Sequence, residues 1–183
     1  MKWLRDEEFI RGKIPMTKFE VRVLTLSMLD ISSGDVFLDV GAGSGSISIQ
    51  AALLGANVFA VEREAEGLEL ISKNAEKFNI EVNAISGNAP EVLENIEAFN
   101  KCFIGGSGGK LFEIVNSMSE KLLSGGIIAG NFIIPDNMIE FKNLLKKLKY
   151  EDIEVRLIQS AVMDRLGLMK GQNPVYIVKG RKI

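Results

Sequence analysis

The fold of this chain is decided by residues 36–45, which read Val-Phe-Leu-Asp-Val-Gly-Ala-Gly-Ser-Gly. An apolar run interrupted only by Asp39 predicts a buried strand over 36–40, and a helical pattern begins directly after Gly45. The alternating glycines Gly41, Gly43 and Gly45 permit positive φ and let a ligand approach the main chain closely, which side chains would prevent. The stretch therefore predicts a strand, a glycine loop and a helix arranged around a binding site.

The spacing of the glycines distinguishes two kinds of nucleotide-binding loop. A dinucleotide site needs Gly-x-Gly-x-x-Gly, but the position of its last glycine or alanine holds Ser46. The pattern Asp39-x-Gly41-x-Gly43-x-Gly45 instead resembles the first motif of the Rossmann-like methyltransferases that use S-adenosylmethionine (SAM). The Asp39 carboxylate would repel a pyrophosphate and attract the sulfonium and ammonium groups of SAM. A plain strand-to-helix turn without a ligand is the alternative interpretation.

A second short apolar run, residues 57–62, also ends in an acid. Glu62 follows Gly45 by 17 residues, close to the roughly 20 that separate a glycine loop from the acid that binds a ribose. Its carboxylate can accept hydrogen bonds from both ribose hydroxyls. We therefore predict that Glu62 binds a ribose. The alternative is a solvated acid at the start of the next helix, where the helix dipole favours it.

The composition is that of one globular domain. The chain has 183 residues, of which 46% are hydrophobic and 25% charged, so we expect residues 1–183 to form a single domain. The apolar runs are shorter than the ~18 residues that cross a bilayer, and the N-terminus lacks the apolar core of a signal peptide. We expect a cytoplasmic protein with no membrane contact. Cys102 is the only cysteine, and we expect a buried, inert thiol.

The chain contains no histidine, and this absence excludes several kinds of catalysis. There can be no Ser-His-Asp triad, no imidazole general base and no histidine-ligated zinc, and we expect no metal site. Methyl transfer is compatible with this limit. The sulfonium donor is already activated, so the protein mainly has to align donor and acceptor.

Charge is distributed unevenly along the chain. The net charge is −2 for the whole chain, +2 for residues 1–22, −9 for residues 23–155 and +5 for residues 156–183. If both basic ends fold over one cleft, they favour an acidic substrate; otherwise they are solvated surface. We expect no nucleic-acid partner, since the chain is acidic overall and only 7% aromatic.

Short apolar runs alternate with helical patterns, which predicts an α/β fold with a doubly wound, mostly parallel sheet and helices on both faces. The predicted strands are residues 36–40, 57–62, 82–86, 101–105, 126–133, 151–159 and 174–179. The predicted helices are residues 18–29, 46–54, 64–78, 90–98, 109–123 and 136–149. No helical pattern separates the last two of the seven strands, so the last strand should be antiparallel.

The first 30 residues are predicted to cover the ligand cleft. Thr17 can cap the helix over 18–29, with Glu20 completing a capping box. Because ligands in open α/β sheets lie beyond the carboxyl ends of the strands, a helix that precedes the first strand can close the cleft from above.

Two later loops limit the classes of substrate that the site can bind. Many SAM methyltransferases carry an acid for the adenine amino group where this chain has Asn88, whose amide oxygen can accept the same bond or cap the next helix. Residues 105–109 contain four glycines, which predicts either close approach of a large molecule or a flexible loop. The Asn/Asp-Pro-Pro-aromatic sequence of adenine amino-methyltransferases is missing here, which argues against nucleic-acid bases as substrates.

Several stretches together resemble one family, the decarboxylating cobalt-precorrin-6B C15-methyltransferases of anaerobic cobalamin biosynthesis. They are residues 14–22 (Ile-Pro-Met-Thr-Lys-Phe-Glu-Val-Arg), the glycine loop, residues 88–91 (Asn-Ala-Pro-Glu), residues 103–109 and residues 173–175. The resemblance covers nearly the whole chain. It implies SAM as donor, methylation at C15 of a cobalt-containing tetrapyrrole, loss of carbon dioxide from the ring C acetate, and a homotetramer.

The resemblance also suggests which residues form the site. The expected cofactor-binding residues are Thr17, Asp39, Gly41, Ala42, Gly43, Ser44, Gly45, Glu62, Asn88 and Ala89. The expected substrate-binding residues are Gly105, Gly106, Ser107, Gly108, Gly109, Asn131 and Arg165. A macrocycle fringed with carboxylates also favours the basic side chains of Lys18, Arg22 and Lys170.

Two other classes of function stay open on the sequence alone. The chain could be a SAM methyltransferase that acts on a protein or RNA. It could also be an NAD-dependent oxidoreductase or a nucleotide-binding module without catalysis. No proton donor for the decarboxylation can be named from the sequence.

Overall fold

The computed structural model describes residues 2–183, and strands form its centre. The strands are β1 (Val36–Val40), β2 (Asn57–Glu62), β3 (Asn83–Ser86), β4 (Phe99–Ile104), β5 (Leu122–Phe132), β6 (Glu151–Ile158), β7 (Ala161–Met163), β8 (Met169–Gly171) and β9 (Val175–Arg181). Seven of them form one sheet in the order β3-β2-β1-β4-β5-β9-β6. Strand β9 is antiparallel to both of its neighbours, whereas the other pairs of the sheet are parallel. The predicted topology is confirmed.

Helices cover both faces of this sheet. They are α1 (Phe19–Met28), α2 (Ser46–Leu53), α3 (Ala65–Phe78), α4 (Leu111–Lys121) and α5 (Pro135–Lys147). Successive strand residues point to opposite faces, so Phe37 packs with α1 and α2 while Leu38 packs with α4 and α5. The same alternation holds in β4, where Phe103 joins the first cluster and Cys102 the second.

Three elements differ from the predicted ones by more than two residues, for physical reasons. The helix predicted over 90–98 is only a 3₁₀ turn, Glu91–Asn95; its three-residue period directs the buried Leu93 and Ile96 to the same side. Strand β5 begins before the predicted residue 126, because its pairing with β4 continues across a register shift near Gly125, whose φ is 78°. Residues 160–173, predicted without elements, contain the β7–β8 hairpin.

The capping predicted for the first helix is wrong. Lys18, in an extended conformation, is the N-cap of α1, and no side chain accepts a hydrogen bond there. Thr17 lies one residue too early, and Glu20 is the second residue of the helix rather than the third, so the capping box cannot form.

Residues 2–18 form an N-terminal strap that crosses α2 and α3. Fully buried Gln50 accepts a hydrogen bond from the Leu4 amide at 2.9 Å and donates one to the Lys2 carbonyl at 3.2 Å. Fully buried Asn74 accepts from the Ile10 amide at 2.8 Å and donates to its carbonyl at 3.1 Å. The strap is held against α2 and α3 because the buried side-chain amides of these helices satisfy its main-chain hydrogen bonds.

Among residues 2–183, none of the helices has the length and apolar character needed to cross a membrane.

Replacing Asn74 by alanine tests the anchoring of the strap. Asn116 is the matched control, because each asparagine also donates to the carbonyl four residues earlier in its helix, at 2.9 Å for Asn74 and 2.8 Å for Asn116. Only Asn74 bonds the strap as well. In urea denaturation we expect Asn74→Ala to lower the free energy of unfolding by about 2 kcal/mol more than Asn116→Ala. Equal losses in the two variants would show that the strap bonds contribute nothing.

Candidate functional site

Two adjoining cavities lie at the carboxyl edge of the parallel strands. The smaller, of about 220 Å³, is lined by residues at or just after the ends of β2, β3 and β4, among them Glu62, Asn88 and Gly106. The larger, of about 620 Å³, is lined by the end of the strap, the glycine loop and the ends of β4 and β5. Gly41 lines both cavities, so the loop after β1 forms their common wall.

This wall is a contact between two backbones. Gly41 has a φ of 71°, and a Cβ atom added to it would lie 2.6 Å from the Gly106 carbonyl oxygen. A Cβ added to Gly105 would lie 2.8 Å from the Gly41 oxygen. These glycines are therefore required where the loops after β1 and β4 meet. Gly106 itself has open space at its Cβ position, so its lack of a side chain leaves room in the smaller cavity.

The Glu62 carboxylate fixes the glycine loop from the end of β2. One oxygen accepts from the Gly43 amide at 2.7 Å, and the other accepts from the amides of Arg63 and Glu64 at 2.8 and 2.9 Å. A Cβ added to Gly67 would lie 2.6 Å from the Glu62 Cγ atom, so α3 also packs tightly against this side chain. Three of the roughly four acceptor positions of a carboxylate are taken, which leaves about one for a ligand in the smaller cavity.

Asp39 is a buried acid at the wall of the larger cavity. Its side chain is fully buried, and Oδ2 accepts a hydrogen bond from the Ser48 hydroxyl of α2 at 2.5 Å. Its Oδ1 atom is buried with no partner. Burial raises the pKa of Asp39 to about 7, and the nearby Glu62 charge acts in the same direction. A cationic ligand would supply the missing partner and favour the ionised carboxylate.

Most of the predicted cofactor-binding residues line one of the two cavities. Asn88 and Ala89 line the smaller one together with Glu62, and Thr17, Ala42 and Gly43 line the larger one. Pro90 is the N-cap of the 3₁₀ turn, so the Asn88 side chain does not cap it. Ser44 and Gly45 line neither cavity. They form the turn into α2, where Gly45 has a φ of 76°.

The predicted substrate-binding residues are divided between the cavities. Gly105 and Asn131 line the larger cavity, whereas Gly106, Ser107 and Gly108 line the smaller one beside Glu62. Two members are outside both linings. Gly109 lies at the end of its loop, and Arg165 is exposed in the turn between β7 and β8.

The basic side chains expected near an acidic substrate do not all reach the site. Lys18 lines the larger cavity. The expectation for Arg22 is wrong, because this side chain is fully buried and donates to the carbonyls of Thr17 and Leu4, each at 2.7 Å. Lys170 is exposed and pairs with Asp164 at 3.1 Å, away from both linings.

Sequence reasoning missed several residues of the larger cavity. Its lining also includes Met16, Ile133 and Gln172. Beside it, the Ser48 hydroxyl donates a hydrogen bond to Asp39. The Pro-Met-Thr-Lys stretch was a signal for Met16. No pattern marked Gln172, because the chain returns to the cavity through the hairpin that the sequence did not predict.

Comparison with known proteins identifies relatives of this arrangement. The family model described as "Precorrin methyltransferase domain" matches residues 8–180. A protein of Sulfolobus acidocaldarius named "Probable cobalt-precorrin-6B C(15)-methyltransferase (decarboxylating)" is 42% identical over 185 aligned positions, 97% of this chain and 96% of that protein. These matches confirm the resemblance carried by the sequence motifs.

Solved structures agree with the sequence relatives. The crystal structure of precorrin-6y C5,15-methyltransferase from Geobacter metallireducens GS-15 is similar with a TM-score of 0.93 at 35% identity, covering 99% of this chain and 97% of that one. The structure of precorrin 8w decarboxylase from Methanobacterium thermoautotrophicum has a TM-score of 0.91 at 29% identity, covering 97% and 98%. The fold predicted from the sequence is therefore confirmed by relatives as well as by the sheet order.

The pKa of Asp39 predicts a pH-dependent stability difference. Because the folded-state pKa is about 7 against an ordinary value of 3.8, the protonated acid stabilises the fold below pH 4, and this contribution is lost as the pH rises to 7. Asp39→Asn cannot ionise. Its stability advantage over the parent should therefore grow by roughly 1.4 kcal/mol per pH unit between pH 4 and 7, about 3 to 4 kcal/mol in all, and then level off.

Urea denaturation across this pH range measures the difference. Glu97→Gln, which changes an exposed carboxylate, is the control and should differ from the parent by less than about 0.5 kcal/mol throughout. A difference between Asp39→Asn and the parent that does not vary with pH would contradict a raised pKa.

Proposed function

Because this chain belongs to the precorrin methyltransferase family, we propose that it transfers a methyl group from SAM to C15 of a cobalt-precorrin and removes carbon dioxide from the ring C acetate. The observation that carries the proposal is the pair of cavities with a shared glycine wall, one suited to a nucleoside and the other to a larger guest. The family and the fold imply SAM as the donor. When bound, SAM supplies an activated methyl group on a sulfonium.

The smaller cavity suits the nucleoside part of SAM. Glu62 has about one acceptor position left for a ribose hydroxyl, and its orientation is already fixed by three amides. Asn88 and Ala89 line the far side, where the Asn88 amide oxygen accepts a bond from the adenine amino group. The open space beside Gly106 leaves room for the base or sugar.

The larger cavity suits the amino-acid end of SAM together with the reacting edge of the substrate. The unpartnered Oδ1 atom of Asp39 accepts from the ammonium group or attracts the sulfonium. Thr17 and Lys18 close the cavity from the strap side, and Gly105 and Asn131 line it at the strand ends. The loop of Gly105 to Gly109 borders both cavities, with Gly105 in the lining of the larger one and Ser107 and Gly108 in the lining of the smaller one.

The reaction needs no histidine. In the decarboxylation, the bond between the acetate methylene and its carboxyl carbon breaks, carbon dioxide leaves, and the electron pair enters the conjugated ring. A proton then replaces the carboxyl group. The new bond between C15 and the methyl group uses an electron pair of the conjugated ring, and the proton that the ring gives up balances the one gained at the former acetate carbon. The protein has to orient the two reacting positions and exclude bulk water, and the buried strand ends provide such an environment. Ile133, 60% exposed beside the larger cavity, extends an apolar surface on which a flat ring can lie.

Incubation of the purified protein with SAM and a cobalt-precorrin tests this function. Mass spectrometry should show a product that has gained one methyl group and lost one carboxyl group. Incorporation of the methyl group into protein or RNA instead would identify a different methyltransferase. Stabilisation by NAD but not by SAM or its demethylated product in thermal-shift measurements would contradict the proposal as a whole.

The role of Glu62 can be tested by a conservative substitution. Glu62→Gln keeps the shape, removes the charge that strengthens a bond to a ribose hydroxyl, and replaces one of the two oxygens that accept from the amides around the glycine loop. We expect its SAM affinity, measured by calorimetry, to fall by about 1.5 to 3 kcal/mol, which is roughly 10- to 150-fold. Glu64→Gln changes a neighbouring acid, 61% exposed, that lines the same cavity, and should weaken binding less than threefold. Equal affinities for the two variants would remove Glu62 from the cofactor site.

We further propose that the chain is a homotetramer. The β7–β8 hairpin exposes five large apolar side chains on a short segment: Val162, Met163, Leu166, Leu168 and Met169. Exposed apolar side chains concentrated on one short segment are typical of an interface between subunits. Sedimentation equilibrium should give four times the 20.1 kDa mass of one chain. A monomeric mass at micromolar concentration would rule out this assembly, and Leu166→Ser should shift the equilibrium toward smaller species.

A further inference from the structure

Unpartnered buried polar atoms are concentrated at the larger cavity. Among residues 2–183, three buried side-chain polar atoms lack a hydrogen-bond partner: Arg22 Nε, Asp39 Oδ1 and Asn131 Nδ2. Two of these three residues line the larger cavity. Leaving a buried donor or acceptor unsatisfied costs free energy, so such atoms usually have a partner in the protein, in water or in a ligand. Asp39 and Asn131 both line this cavity, and each has one buried polar atom without a partner: an acceptor in Asp39 and a donor in Asn131.

The donor of Asn131 is oriented by a second residue. Thr25 of α1 is fully buried, and its hydroxyl donates a hydrogen bond to Asn131 Oδ1 at 3.1 Å. Because Oδ1 is engaged by Thr25, the amino group is on the opposite side of the carboxamide. Asn131 itself is held in β5, paired with Ile177 of β9. The N–H donor is therefore set in place by the sheet and α1 before a ligand arrives.

A neutral donor in this position suits a carboxylate that has to leave. A charged partner would stabilise the carboxylate strongly before reaction, whereas carbon dioxide, which is neutral, would lose that interaction as the bond breaks. A single amide N–H orients the carboxylate but stabilises it less before the reaction, so less of this interaction is lost when carbon dioxide leaves. The strap contributes Lys18 to the same lining, and this charge attracts acidic substrate side chains in general.

We propose that Asn131 donates a hydrogen bond from Nδ2 to the substrate carboxylate that is lost as carbon dioxide, with Thr25 as the residue that orients it. This assignment rests on the proposed function. The bond from Asn131 holds the carboxylate so that the breaking carbon–carbon bond aligns with the conjugated ring, which receives the electron pair. Asn131 contacts the substrate, and Thr25 acts only through Asn131.

Four variants test the assignment: Asn131→Asp, Asn173→Asp, Thr25→Val and Thr25→Ser. Asn131→Asp is nearly isosteric but presents an acceptor in place of the donor. Asn173 is exposed and lines the same cavity, so Asn173→Asp controls for the added charge alone. Thr25→Val removes the orienting hydroxyl, and Thr25→Ser retains it. Release of carbon dioxide, methyl transfer and SAM affinity are measured for each purified protein.

We expect Asn131→Asp to lower kcat for carbon dioxide release at least 100-fold, with SAM affinity within threefold of the parent. Asn173→Asp should lower it less than fivefold. Thr25→Val should lower it about tenfold, and Thr25→Ser should restore it to within threefold. If Asn131→Asp does not fold, the Thr25→Val and Thr25→Ser pair decides the question, because both keep Asn131.

Three results would overturn the proposal. SAM affinity reduced tenfold in Asn131→Asp would assign the amide to the cofactor, and unchanged carbon dioxide release would remove it from the reaction. Equal losses in Asn131→Asp and Asn173→Asp would assign the effect to charge. Each of these results is compared with the activity of the parent enzyme, which must itself be active. Failure of the proposed function is a separate outcome, since the parent itself would then neither bind SAM nor convert the cobalt-precorrin.

Discussion

The contact between the backbones after β1 and β4 is the constraint on which the rest of the site depends. Parallel strands that are neighbours in the sheet end at the same edge, so their following loops must either diverge or pass each other closely. Here they pass at a distance that leaves no space for a Cβ atom on Gly41 or Gly105. The contact divides the strand ends into two cavities, and Glu62 stabilises it from the side by bonding the Gly43 amide.

Two polar side chains near this contact each have one buried atom without a hydrogen-bond partner. Asp39 is buried on the α2 face of β1 with one oxygen bonded to Ser48 and the other without a partner. Across the same cavity, Asn131 carries the complementary unsatisfied donor. The fold thus accepts a free-energy cost at two points of the cavity wall. A cationic group beside Asp39 and a substrate carboxylate beside Asn131 would relieve both.

Much of this architecture could be predicted from the sequence, because periodicity and glycine spacing act locally. The strand at 36–40, the glycine loop and the acid at the end of β2 follow directly from residue types and their separation, and so does the antiparallel last strand. Features that depend on partners far away in the sequence could not be predicted. The engagement of Arg22 by carbonyls of the strap, and the bond from Thr25 to Asn131 across 106 positions, leave no pattern in the chain. Short elements were missed for another reason: the three-residue strands of the hairpin lie below the length at which alternation can be recognised.

The strap connects helix α2 with the wall of the larger cavity. Its first residues are fastened to α2 through Gln50, and its last residues, Pro15 to Lys18, form a wall of the larger cavity. A Cβ added to Gly43 would lie 3.3 Å from the Pro15 carbonyl oxygen, so strap and glycine loop are in near contact. Displacement of the strap would therefore remove one wall of the larger cavity. Residues near the start of the chain therefore help to shape the larger cavity, although they lie far from the sheet in sequence.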